Sequence, residues 1–139
     1  MSQEERRRIQ LAIACDGEEI PRRHFGDCPQ FRVYELFDDG QWRLLNTRGN
    51  TSPEEEGHAD PKKLKGVTSL IPGCEAVVSG LASPNFVRMR DTKPIQPVVT
   101  KKETVAETLV ALVGSFEDLF GLVSARRQGE RPEVILEIQ

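Results

Sequence analysis

The chain has 139 residues, of which 37% are hydrophobic and 29% charged, and its formal net charge is −3. A chain of this length folds as one domain that buries roughly 68–70% of its unfolded surface, and its composition excludes a disordered or membrane-embedded protein. The acidic balance supplies no basic stripe for nucleic acid, and no apolar run approaches the ~20 residues that cross a bilayer.

Met1 to Arg8 is a charged tail without the apolar run of a secretory signal, so a cytoplasmic protein is expected. Cys15, Cys28 and Cys74 are odd in number and widely spaced, which suits free thiols in a reducing compartment better than a disulfide framework. Ile9 to Cys15 alternates large apolar residues with small or polar ones and stops at Asp16-Gly17, the pattern of a first strand. Residues 16 to 29 follow as a loop rich in glycine, proline and charge. Gln30 to Phe37 alternates again, with Phe31, Val33 and Phe37 on one face and Tyr34 and Leu36 on the other. Asp38-Asp39-Gly40 then turns the chain into Gln41 to Leu45, which makes strands two and three a hairpin. Asn46 to Asp60, with Gly49, Asn50, Pro53 and three glutamates in succession, has no periodicity and is expected as a mobile surface loop.

Pro61 opens a helix in which Leu64, Val67, Leu70 and Ile71 recur at helical spacing, ending near Pro72-Gly73. Glu75 to Ser79 is a buried strand, Ser83-Pro84 caps and opens a short helix through about Arg90, and Ile95 to Val99 is a further strand. Thr100 to Glu103 matches a capping box ahead of a last helix, whose apolar stripe runs from Val105 to Val123 and which Gly114 or Gly121 kinks or splits. Val134 to Ile138 is apolar enough to add an edge strand or to meet a partner. The order β-β-β-α-β-α-β-α calls for parallel strands joined by right-handed crossovers. It predicts an α/β fold, a three-layer α/β/α sandwich that begins with an antiparallel hairpin. One domain is expected over residues 9–128, between the tail 1–8 and a C-terminal segment 129–139 that is a tail or an added edge strand.

Ligands of open α/β sheets bind beyond the carboxyl ends of the parallel strands. That edge collects Cys15, Asp16, the loop to Cys28, the segment Ser79 to Pro84, and Thr100-Lys101, whereas Cys74 falls at the opposite edge as a packing residue. Imidazole and thiolate suit iron, zinc, copper and iron-sulfur sites, so His24 and Cys28 are the leading candidates for metal ligands. Two ligands do not close a structural zinc site, which takes four at short paired spacings. They suit instead a partial site that grips a preassembled cluster and releases it. Arg22 and Arg23 would favour an anionic ligand, and the helix start at Ser83-Pro84 would add backbone N–H groups. The same residues also read as structure alone, with His24 and Phe25 anchoring the loop, Cys28 packed inside, and Cys15 in the core beside Ile9, Leu11 and Ile13. His58 stands in the acidic loop, either solvated or brought over the site.

The run Leu11-Ala12-Ile13-Ala14-Cys15-Asp16-Gly17, then His24-Phe25-Gly26 with Cys28, then Phe31-Arg32-Val33-Tyr34-Glu35 resembles the start of the nitrogenase cofactor biosynthesis family. That family includes the NifX, NifY and NafY proteins and the C-terminal part of NifB. Its later pattern is echoed by Cys74 to Gly80, by Lys93-Pro94-Ile95 with Pro97 to Thr100, and by the helix near Glu103, so the likeness spans about residues 9 to 128. The resemblance implies a ribonuclease H-like fold with a mixed five-stranded sheet. It also implies a carrier of iron-molybdenum cofactor or its iron-sulfur precursor, working with an apo-nitrogenase component or a cofactor-assembly protein. It places His24 in cofactor binding, with Cys28 as the natural second candidate, and the residue chemistry adds Arg22, Arg23 and Cys15 at the same edge as further cofactor-binding candidates. Two features depart from the family pattern: Leu81 to Phe86 replaces a glycine-rich turn, and the histidine-rich middle loop of some members is reduced to His58.

A ribonuclease H-like fold also invites a nuclease reading, in which clustered carboxylates hold two Mg²⁺ ions about 3.5–4 Å apart. Asp16 ends the first strand, but Ser79-Gly80 ends the fourth and the preceding helix offers Lys62, Lys63 and Lys65, so no enzyme is expected. A ligand-free adaptor that docks on a nitrogenase-related protein is the alternative to a carrier.

Overall fold

The computed structural model describes residues 7–50 and 61–139. Strand β1 (Arg8–Cys15) lies near the middle of the sheet and pairs antiparallel with β2 (Gln30–Phe37), Arg8 facing Phe37 and Cys15 facing Gln30. The Asp38-Asp39-Gly40 turn brings β3 (Trp42–Gly49) back along β2. Gly40 stands there at φ +86, a left-handed conformation that a side chain would oppose. Helix α1 (Pro61–Leu70) leads to β4 (Ala76–Ser79), and α2 (Pro84–Thr92) to β5 (Gln96–Thr100). Helices α3 (Val105–Gly114) and α4 (Phe116–Arg127) then lead to β6 (Leu136–Ile138).

The sheet order is β3-β2-β1-β4-β5-β6, with β1, β4, β5 and β6 parallel and β2 running against them. Strand alternation sends successive side chains to opposite faces. Ile9, Leu11, Ile13 and Cys15 therefore pack with Leu109 and Leu112 of α3 and Leu119 and Val123 of α4. Ala12, Ala14, Phe31 and Val33 pack on the other face with Val67 of α1 and Phe86 and Met89 of α2. The result is the expected three-layer α/β/α sandwich with a ribonuclease H-like mixed sheet, carrying six strands instead of five. The sixth comes from the C-terminal segment, where Val98 of β5 faces Leu136.

Tertiary pairing moves several expected boundaries. Arg8, expected in the N-terminal tail, opens β1, and Arg7 is hydrogen-bonded to Asp38 and Glu117. β3 continues past Leu45 to Gly49, since Asn46 to Gly49 pair with Val33 to Gln30 across a register shift between Val33 and Tyr34. As an edge strand it is exposed along its whole length, which is why no apolar alternation announces its second half. The rest of the expected acidic loop, residues 51–60 with His58, lies outside the described residues. Thr100 is the last residue of β5 and not a helix cap. The cap is Thr104, whose Oγ1 accepts the backbone N–H of Glu107 at 3.1 Å. The long C-terminal helix is split after Gly114 into α3 and α4, which meet at 81°, while Gly121 stays inside α4. Among the described residues no single helix is long and apolar enough to cross a membrane.

Candidate functional site

Loop 16–29 leaves the carboxyl end of β1 and crosses the ends of the parallel strands before it enters β2. It starts as a tight turn with Asp16 and Glu19 bonded backbone to backbone, then reaches the start of α3, where Ile20 N–H donates to Glu103 O at 2.9 Å and Val105 N–H to Glu18 O at 2.9 Å. Ile20 is buried against the α3 side of the core. The loop then turns back over β4, where the backbone of His24 bridges in parallel to Leu81. It finally drops to the α1/α2 side through a 3-10 turn over Phe25–Asp27, anchored by the Phe25 ring 4.8 Å from that of Phe31 and 5.8 Å from that of Phe86.

Arg22 holds the loop in place. Its guanidinium donates to Thr100 O at 2.8 Å, Lys101 O at 2.7 Å and Gly80 O at 3.3 Å, which satisfies carbonyls at the ends of β4 and β5. Gly80 is required by that crossing. A Cβ there would lie 2.6 Å from Pro21 O and 2.9 Å from an Arg22 nitrogen, closer than atoms can approach without displacement.

Past Arg22 the chain opens a hollow of about 430 Å³ bounded by Arg23, His24, Asp27 and Leu81. The His24 side chain is 29% exposed, and its Nδ1 lies 3.8 Å from a carboxylate oxygen of Asp27. Arg23 and Leu81 are exposed beside it. An imidazole and a guanidinium on an open surface of this kind can meet a compact anionic object by one coordinate bond and one charge-assisted contact. The start of α2 also lies near Leu81, but Ser83 accepts the N–H of Phe86 at 3.2 Å and Pro84 has none. The backbone cradle expected at that helix start is therefore reduced.

The two candidate cysteines behave differently from His24. Cys28 is only 1% exposed and belongs to the α1/α2 side of the core; its thiol points back to His24 O at 3.6 Å, and burial pushes its pKa up to about 12. Cys15 is buried on the opposite face of the sheet, among the residues under α3 and α4, and its thiol pKa is also raised by burial. His24 and Cys28 are thus neighbours in the chain fold, but the imidazole faces the hollow and the thiol faces the core. Cys74 sits at the far edge, where Gln10 Nε2 lies 3.7 Å from its sulfur. Among the described residues no three His, Cys, Asp or Glu side chains converge on a point that could hold a metal ion.

Residues 7–115 match the family described as Dinitrogenase iron-molybdenum cofactor. The chain belongs to that family. No curated protein matches the chain. The family match runs from β1 through α3 and so takes in all of loop 16–29, while α4 and β6 lie beyond it. Membership associates the chain with maturation of the nitrogenase iron-molybdenum cofactor.

Within this family fold, three residues have roles that sequence reasoning misses, although it brings Ser79 to Pro84 to this edge. Gly80 is one, since nothing local says that loop 16–29 crosses over it. Leu81, which forms the wall opposite His24, is another. The third is Asn50, placed by composition in a mobile loop: its Nδ2 donates to Gly26 O and Cys28 O, both at 2.7 Å. The signal that would have found it is hairpin register, because extending β3 to the point opposite Gln30 puts Asn50 beside Pro29, whose carbonyl accepts the Asn50 N–H at 2.9 Å.

Proposed function

We propose that this chain binds iron-molybdenum cofactor, or an iron-sulfur precursor of it, as cargo and delivers it to an apo-nitrogenase component or a cofactor-assembly protein, without catalysing a reaction of its own. The observation that carries the reading is the half-exposed His24 imidazole beside Arg23 in an open hollow at the carboxyl edge of the sheet, within a fold of the iron-molybdenum cofactor family. His24 is the ligand presented to solvent, and Arg23 supplies positive charge to an anionic cluster. Arg22 positions the loop through three backbone carbonyls, and Cys28 is a second ligand only when its turn opens. Cys15, on the other face of the sheet, gains no support as a ligand from this geometry. A grip with few protein ligands suits a carrier, because cargo must also leave.

Anaerobic titration of the protein with isolated cofactor, followed by visible absorption, tests the reading. His24→Ala is expected to weaken binding at least about tenfold, the loss of one good coordinate or charged contact, whereas Cys74→Ser is expected to bind as the parent does. Equal binding by the parent and by a His24→Ala/Cys28→Ser double variant overturns the site.

A second reading, a ligand-free adaptor, draws on β3. Trp42, Leu44 and Leu45 of this edge strand are exposed at 40%, 49% and 39%, and an open edge with large apolar side chains is a surface on which another chain can add a strand. Stable capture of a nitrogenase component by a protein that binds no iron-sulfur species would favour it.

A further inference from the structure

We propose that Asn50 is the latch of this site: its side-chain amide holds the His24–Cys28 turn closed, and its release presents the Cys28 thiol on the side of the His24 imidazole. The inference rests on the cargo reading only for the use made of the thiol; the latch itself stands on geometry. The turn has weak internal support. Asp27 N–H donates to His24 O at 2.9 Å, but Cys28 N–H reaches Phe25 O only at 3.4 Å and the Cys28 thiol reaches His24 O only at 3.6 Å. The amide of Asn50 places its two hydrogens on two carbonyls of the same short segment, Gly26 O and Cys28 O, each at 2.7 Å.

Phe25 is fixed between Phe31 and Phe86, so a movement of the turn hinges after Phe25 and carries Gly26, Asp27 and Cys28 outward. His24 remains in place through its backbone bridge to Leu81. Closed, the turn keeps an oxidisable thiol inside the α1/α2 side of the core, and opened, it sets thiol and imidazole four residues apart on one accessible stretch. Asn50 touches no cargo in either state and is a positioning residue. It stands at the end of β3, the exposed edge strand, so strand addition along that edge bears directly on the latch.

The experiment is alkylation of the native, cluster-free protein by iodoacetamide, quenched at intervals and digested with trypsin. Cys15, Cys28 and Cys74 fall in separate tryptic peptides, residues 9–22, 24–32 and 66–88, so each thiol reports independently. Asn50→Ala removes the amide, and Asn50→Asp keeps its outline but sets acceptor against acceptor. Both are expected to speed alkylation of Cys28 about tenfold or more, the effect of losing two hydrogen bonds, with Cys15 and Cys74 unchanged. An unchanged Cys28 rate in both variants overturns the proposal. So does acceleration by Ala alone, which would make the contact one of bulk, and so does equal acceleration of all three cysteines, which would mean general loosening. Because no cluster is added, failure of the cargo reading leaves this result standing, and failure of the latch leaves the His24 titration intact.

Discussion

The two edges of the sheet use arginine in opposite ways. At the edge where β1, β4 and β5 begin, Arg126, Arg127 and Arg7 are tied down. Arg126 is 2% exposed, and its guanidinium donates to Gln96 Oε1 at 2.8 Å, Arg90 O at 2.8 Å, and Lys93 O and Pro132 O at 3.0 Å each. Burial among these neutral partners lowers its pKa. Arg127 pairs with Glu75 and donates to Arg8 O, and Arg7 joins Asp38 to Glu117 while lying over the Phe116 and Phe120 rings. At the edge where those strands end, Arg22 is likewise bound to carbonyls, but the next residue, Arg23, is exposed beside an accessible histidine. One edge is therefore a clasp that locks α4 and the C-terminal segment onto the sheet. The other is a built frame with a charged opening. The same side chain serves packing where carbonyls surround it and recognition where solvent does.

Substitutions sharpen this contrast. The largest effect belongs to the clasp: Arg126→Met leaves buried Gln96 and three part-buried carbonyls without their donor and is expected to lower stability by about 2–4 kcal/mol. Urea unfolding followed by circular dichroism measures it, and a loss below about 1 kcal/mol would mean that the clasp contributes little. Next is the frame, where Gly80→Ala forces Pro21 and Arg22 away from β4. A loss of about 1–3 kcal/mol is expected, together with weaker cofactor binding, since the displaced loop carries His24.

Alkaline pH separates the faces more gently. The Cys28 thiol titrates near 12 in the folded protein and near ~8.5 once unfolded, so folding favours its protonated form. Its stabilising contribution is complete below the unfolded value and is lost as pH rises toward 12. Cys74, pushed up to about 11, adds to the same slope. Unfolding measured at about pH 8 and about pH 10 should show stability falling, and the fall should be smaller in Cys28→Ala. The smallest effect on stability is that of His24→Ala, within about 0.5 kcal/mol, because its anchoring contact to Leu81 is made by backbone. A large loss of stability in that variant would turn His24 from a presented ligand into a structural residue.

Much of this architecture can be read from local pattern. β2 occupies Gln30–Phe37 as its alternation indicates, Ser83 caps α2, and the hairpin turns at Asp38-Asp39-Gly40. The capping box shows where local pattern stops. Thr100-Lys101-Lys102-Glu103 and Thr104-Val105-Ala106-Glu107 both fit the motif, and only the pairing of Thr100 with Ile138 in β6 reserves the first for strand and leaves the second to cap α3. The cysteines show it again. Sequence distance brings Cys28 to His24, but the Phe25 anchor turns the thiol inward, whereas the alternation of β1 by itself already puts Cys15 on the other face with Ile13.

By itself the sequence determined the layer order, the hairpin start and the edge at which loop 16–29 lies, since these follow from periodicity, turn chemistry and strand direction, whereas the prominence of His24 over Cys28 came from the family resemblance. The tertiary structure decided the sixth strand, the reach of β3, and the work of Arg22, Gly80 and Asn50. Each of those depends on contacts between residues from 13 to 79 positions apart, and residue pattern within a single element does not carry a contact of that range.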